Sequence, residues 1–242
     1  MKITAILTGW KRPQNLERQL EAIKNQTIAP TDIMMWYNGE NAEHAQKALP
    51  GVKTASCNHN FKFIGRFAYA LLARTEYVCI FDDDTIPGPK WFENCINTMK
   101  THEGILGTTG IYLTKNTNYR DHRKIGWNGQ KSNEPIEVDL VGHAWFFKYD
   151  WLKYFWMEAP LSWDNAEDIH FSYAAQKYGG IKTYVPPHPD TDRSIWGSLN
   201  GSALGNDSVS SWVNRDKNNH TIIRDNCVEK AVQNGWKLVH SK

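Results

Sequence analysis

The chain has 242 residues, room for one or two domains at roughly 150 residues each. Its 28 basic and 26 acidic residues leave a net charge of +2, too balanced for a dedicated nucleic-acid binder. With 40% hydrophobic residues it is neither disordered nor fibrous, and no apolar run approaches the roughly 18 residues of a membrane span. No integral membrane segment is therefore expected, and a soluble, cytoplasmic protein is.

The first run, Ile3-Thr4-Ala5-Ile6-Leu7-Thr8, has the length of a buried strand. Pro13 suits the first turn of a helix, and Leu16, Leu20 and Ile23 follow on one face. Residues 32–37 form a second apolar run, closed by the turn pair Asn38-Gly39. A helix is expected over 42–49, a strand over 52–57, and a helix over 64–74 with Phe67, Leu71 and Leu72 inward. Tyr77-Val78-Cys79-Ile80-Phe81 reads as the fourth strand and runs into Asp82-Asp83-Asp84, with a helix over 91–101.

Strands and helices in alternation predict an α/β fold, a parallel sheet with helices on both faces. Ligands bind such sheets beyond the carboxyl ends of the strands. The polar clusters at 8–12, Asn38-Gly39 and 82–84 lie at those ends.

After residue 104 the rhythm breaks. Residues 114–135 are polar and turn-rich, a loop or mobile insertion, and 138–147 read as one long strand. A helix is expected over 166–178, ended by Gly179-Gly180, then a long loop over 186–220 and a short helix near 226–234. Four scattered cysteines with no C-x-x-C pair argue against a zinc site or a disulfide framework. Eleven tryptophans serve either core packing or as platforms for a partly polar ring such as a sugar.

The acidic triplet is the chemical centre of the sequence. In an extended chain Asp82 and Asp84 point one way and Asp83 the other, with the outer Cα atoms about 6.6 Å apart. Two carboxylates so placed can converge on one divalent ion, and oxygen ligands favour Mg²⁺ or Mn²⁺ over zinc. The bland alternative is a solvated acidic turn. Such ions usually share their ligands with substrate phosphates. Neither G-x-G-x-x-G after the first strand nor a P-loop is present, so a diphosphate would fall to the metal and to Arg12, Arg66 and Arg224.

Thr8-Gly9-Trp10-Lys11-Arg12-Pro13, Gln26-Thr27, Asn38-Gly39, Arg66, Asp82-Asp83-Asp84 and Ala166-Glu167-Asp168, in that order, resemble the GT-A glycosyltransferases. The likeness is closest to the family 2 type, with some resemblance to the exostosin-like type. It implies a Rossmann-like nucleotide-binding sheet, a donor-binding half over 1–103 and an acceptor-binding half over 104–242 in one catalytic domain. It further implies that Thr8, Trp10, Arg12, Asn38, Arg66, Asp82 and Asp83 line the nucleotide-sugar pocket, and that Asp82 and Asp84 hold the metal with His188 as a late ligand. Glu167-Asp168 matches the acceptor-side acidic pair, Asp168 being the base, and Arg224 would neutralise the leaving group.

Asp164-x-x-Glu167 or Asn165-x-x-Asp168 also reads as a helix cap. His143 is a core histidine or, with Trp145, part of a sugar platform, to which Trp163 is added. The expected reaction moves a sugar from a nucleotide diphosphate, UDP before GDP, to a hydroxyl of a glycan or glycoconjugate. Asn38-Gly39 stands where the family often has an acidic residue, leaving uracil against guanine open. A sugar-phosphate nucleotidyltransferase and a non-catalytic carbohydrate-binding protein are the competing readings.

Overall fold

Four parallel strands, β1 (Ile3–Gly9), β2 (Asp32–Asn38), β3 (Lys53–Cys57) and β4 (Tyr77–Phe81), lie side by side in the order β3-β2-β1-β4. This computed structural model describes residues 1–39, 49–115, 118–199, 201–215, 217 and 219–241. Every residue of β4 is buried. Because successive side chains alternate between faces, both faces of the sheet are covered there. The covering helices of this part are α1 (Pro13–Lys24), α2 (Gly65–Ala70) and α3 (Trp91–Met99). The helix expected over 42–49 falls almost wholly outside the described residues. α2 is shorter than the expected 64–74, and Leu71 and Leu72 are 46% and 66% exposed rather than inward. Only Phe67 of that trio is core, stacked on Phe155 at 4.6 Å.

Beyond β4 the sheet becomes mixed. It continues through β5 (Gly104–Leu113), β6 (His122–Gly126), β7 (Ile136–Val138), β8 (Leu140–Lys148) and β9 (Lys182–Val185). β8 runs antiparallel between β4 and β5, and β9 and β7 follow on the far side of β5. β6 pairs with the distal half of β5, so the stretch expected as a loop over 114–135 contains a strand. Its polar side chains face a cleft rather than a core, which hid it from a hydrophobicity pattern. The single strand expected over 138–147 is two strands broken at Asp139. That buried carboxylate accepts hydrogen bonds from the Leu113 and Val239 amides, both at 2.7 Å.

The remaining helices are α4 (Leu152–Phe155), α5 (Glu167–Gly179), α6 (Gly201–Gly205) and α7 (His220–Gln233). α5 ends as expected on Gly180 in the left-handed region, φ 64°. α7 begins at His220 rather than near residue 226, which brings Arg224 onto a helix. Phe171 of α5 meets Phe147 of β8 and Phe67 of α2, tying the two parts of the chain into one core. All four cysteines are free thiols. Among the described residues no helix is long and apolar enough to cross a membrane.

Candidate active site

The strand order reverses between β1 and β4, since the chain adds β2 and β3 on one side of β1 and β4 on the other. A cleft of about 900 Å³ opens above this point, lined by Thr8, Trp10 and Arg12 after β1 and by the acidic triplet after β4. One face of α1 fixes the triplet's backbone. Gln19 donates to the carbonyls of Asp82 and Thr85, both at 2.7 Å, and Asn15 donates to the Asp83 carbonyl at 3.1 Å. Gln26 extends the row, donating to Gly88 at 2.7 Å and accepting from the Phe92 amide at 3.1 Å. Sequence reasoning missed Asn15 and Gln19. Their signal was a polar residue one step before each of Leu16 and Leu20, four apart on one helix face.

The triplet splits as its alternation predicts. Asp82, Asp84 and His143 bring one ligand atom each within 4.8 Å of one another, and His143 Nδ1 lies 3.7 Å from Asp82 and 3.8 Å from Asp84. Two hard carboxylate oxygens and an imidazole nitrogen suit a divalent cation. His143 holds this place with a left-handed backbone, φ 65°, just where the β5–β8 register shifts. The carboxylates of Asp84 and Asp82 raise its pKa against the effect of burial.

His188, expected as the late ligand, is elsewhere. It is fully buried, with Nδ1 on the Pro186 carbonyl at 2.7 Å and Nε2 on Thr108 at 3.1 Å. Burial drops its pKa to about 4, so it is a neutral core residue.

The arginines expected to meet a diphosphate are already engaged. Arg12 binds Asp83 at 2.6 Å and spans both oxygens of Asp207 at 2.8 Å. Asp207 thereby ties the segment after α6 over the triplet, where a Cβ on Gly205 would clash with Asp84 Oδ2. Arg66, stacked 4.5 Å above Trp145, bridges Asp82 and Glu167. Arg224 pairs with Asp168 at 2.7 Å and lies 4.0 Å over Tyr119. Burial alone would lower all three, yet their carboxylate partners outweigh it and hold them above the usual arginine range.

Glu167 and Asp168 open α5 inside the cleft, but not as caps. The cap position is Ala166, left-handed at φ 67° with no side-chain cap bond. Asn165 accepts from the Ala166 amide at 2.6 Å and meets His220 at 2.6 Å, and it accepts from Arg224 at 3.2 Å. Burial and the neighbouring Asp168 charge push Glu167 up to about 7, against the pull of Arg66 and Arg224.

At the end of β2, Asn38 is saturated. Its amide donates to Asn60 at 2.7 Å and to the Lys62 carbonyl at 2.8 Å, and its oxygen accepts from the Phe61 amide at 2.8 Å. It anchors the loop after β3 and has no N–H left for a base. Asn60, missed by the sequence reading, lines the cleft with its oxygen turned to Asn38 and the Lys62 amide, leaving its own N–H groups unbonded among the described residues. Trp145 and His143 line the cleft, whereas Trp163 is 61% exposed and outside its lining. Trp127, Tyr119, Lys124 and Trp212 complete the opposite wall, and none was singled out from sequence.

A search of curated proteins finds no sequence match. Among solved structures, S. aureus TarS is similar, with TM-score 0.55 and 15% identity over 78% of this chain and 36% of that one. The chain thus spans about a third of TarS, and the likeness is one of fold. The family described as Glycosyl transferase family 2 matches residues 4–156, well over half of the 242. With that match, and with a fold of the GT-A type, the chain belongs to glycosyl transferase family 2.

Proposed function

We propose that the protein transfers a sugar from a nucleotide diphosphate, UDP in preference to GDP, to a hydroxyl of a glycan or glycoconjugate. One observation carries the reading: the Asp82–Asp84–His143 cluster and the Glu167–Asp168 pair face one cleft and are linked by Arg66. Asp82, Asp84 and His143 would hold Mn²⁺ or Mg²⁺, which offsets charge on a departing diphosphate. His143 takes the place that sequence reasoning gave to His188. Trp10 and Asn60 would meet the base, the amide donating to a pyrimidine carbonyl while the indole offers a flat face.

Asp168 is the group proposed to accept the proton of the attacking hydroxyl, and Arg224 keeps that carboxylate oriented at 2.7 Å. In an inverting reaction it is the general base; in a retaining one it positions the acceptor. Residues 1–103 would then serve the donor and 104–242 the acceptor.

The test incubates the protein with Mn²⁺ and a panel of UDP- and GDP-sugars and follows nucleotide release. Slow metal-dependent release, fastest with UDP-sugars, is expected. Pyrophosphate-dependent exchange would point to a nucleotidyltransferase, and the absence of any nucleotide binding would overturn the reading.

A further inference from the structure

The cleft's cations fall into two groups. Arg12, Arg66 and Arg224 are each neutralised by carboxylates of the protein itself. Lys62, Lys124 and Lys217 also line the cleft, and among the described residues none of them has an ion-pair partner. Lys62 stands on the nucleotide side, its carbonyl bound by Asn38. Lys124 belongs to the opposite wall with Trp212, and Lys217, also in the cleft lining, follows Trp212 by five residues in the chain.

Their setting is specific. Ile111 of β5 pairs with Lys124 of β6 on one side and Leu140 of β8 on the other, so the three side chains form one row across the wall, and all three line the cleft. The Lys124 ammonium lies 5.3 Å from the ring centroid of Trp212, and the Arg215 guanidinium lies 4.8 Å from the same centroid. Trp212 is 47% exposed, so part of the indole stays open beside these charges. An open indole takes the apolar face of a sugar ring. An unpaired ammonium beside it can donate to a neutral sugar hydroxyl, but it gains more from an anionic oxygen, where both partners of the hydrogen bond are charged.

Resting on the glycosyltransferase reading and narrowing its acceptor, we infer that the acceptor is an anionic carbohydrate, carrying phosphate or carboxylate groups, held by Lys124 and Lys217 beside Trp212. Its sugar stacks on the indole and its negative group meets the two ammonium ions. The hydroxyl to be glycosylated is then presented toward Asp168 on the same wall.

The experiment measures binding of plain dextran, dextran phosphate and polygalacturonate to the full chain, with and without saturating UDP and Mn²⁺. The charged polymers should bind about fivefold more tightly than plain dextran or better, the scale that two exposed ion pairs supply. The phosphate and carboxylate arms show which group is preferred. In the double variant K124Q/K217Q the preference should vanish while plain dextran binding and UDP affinity stay as they were. An anionic preference that survives K124Q/K217Q, or no preference in the parent protein, overturns the inference. So does a double variant that loses UDP affinity, since the lysines would then serve the donor diphosphate. Failure of the parent protein to take up UDP would sink the donor reading, and the polymer comparison made without nucleotide would still stand on its own.

Discussion

Asp83 and Asp84 are adjacent in sequence and both lie against Arg12, yet their carboxyls shift in opposite directions. Burial drives Asp83 up to about 7 despite Arg12 beside it. Burial works the same way on Asp84, but His143 and Arg12 outweigh it and hold that carboxyl below its usual range. Asp84 is thus kept ionised facing the cleft, as a cation ligand must be. Asp84→Ala should abolish Mn²⁺-enhanced UDP binding, measured by calorimetry, with the thermal transition little changed; undiminished enhancement would remove Asp84 from the metal site. Asp168→Asn should lower turnover far more than donor affinity, on the order of a hundredfold for a lost general base; an effect confined to donor affinity would end its proposed role. His188 tests the correction from ligand to core residue. Its pKa falls from 6.5 to about 4 on folding, so its stabilisation is complete above pH 6.5 and is lost as the pH falls toward 4. That amounts to about 3 kcal/mol. His188→Gln should flatten the acid limb of stability by about that much, while His220, also near 4, and His170, likewise lowered, retain the rest of the slope.

At the level of elements, α1 contributes a row of amides as well as an apolar stripe. Gln19→Leu keeps the volume but leaves the carbonyls of Asp82 and Thr85 without their donor, a cost of about 1–3 kcal/mol for buried groups. Chemical denaturation should show that loss together with weaker Mn²⁺ binding, because the same bonds place the triplet; an unchanged midpoint would mean water replaces the amide. The strand–helix alternation up to α3 was legible because buried parallel strands are continuous apolar runs, and the exit of β4 could be read from the three aspartates that end it. β6 was not legible, since its inward residues, His122 and Lys124, face a polar cleft. His143 was visible only as an isolated histidine in an apolar strand. What makes it a candidate ligand is a register shift between β5 and β8, and no local pattern encodes a shift between partners as far apart in sequence as Gly107 and Trp145. Asn38 lines the cleft, and what engages its amide was hidden for the same reason: its loop partners come from residues 60–62, beyond β3.

Across the whole molecule, the proposed donor and acceptor parts cannot be pulled apart at residue 103. β8, drawn from the later part, is the strand that covers the edge of β4, pairing residue by residue from Tyr77↔Lys148 to Phe81↔Ala144. Without it, the strand that carries the triplet would present a bare, wholly apolar edge, the situation that leads sheets to aggregate. The core is shared as well, because Phe67 of α2 packs on Trp145, Phe155 and Phe171. The Arg66 bridge adds a polar link at the same boundary, with Asp82 on one side and Glu167 on the other. One cooperative unit follows from this arrangement. The fragment 1–103 should be unfolded or insoluble, whereas the full chain should unfold in a single transition that coincides by far-ultraviolet circular dichroism and by tryptophan fluorescence. UDP with Mn²⁺ should raise that one transition as a whole, since ligand bound to the native state stabilises everything that unfolds with it. Two separated transitions, only the first of them moved by nucleotide, would show instead that the donor part folds independently and that β8 joins it as a late addition.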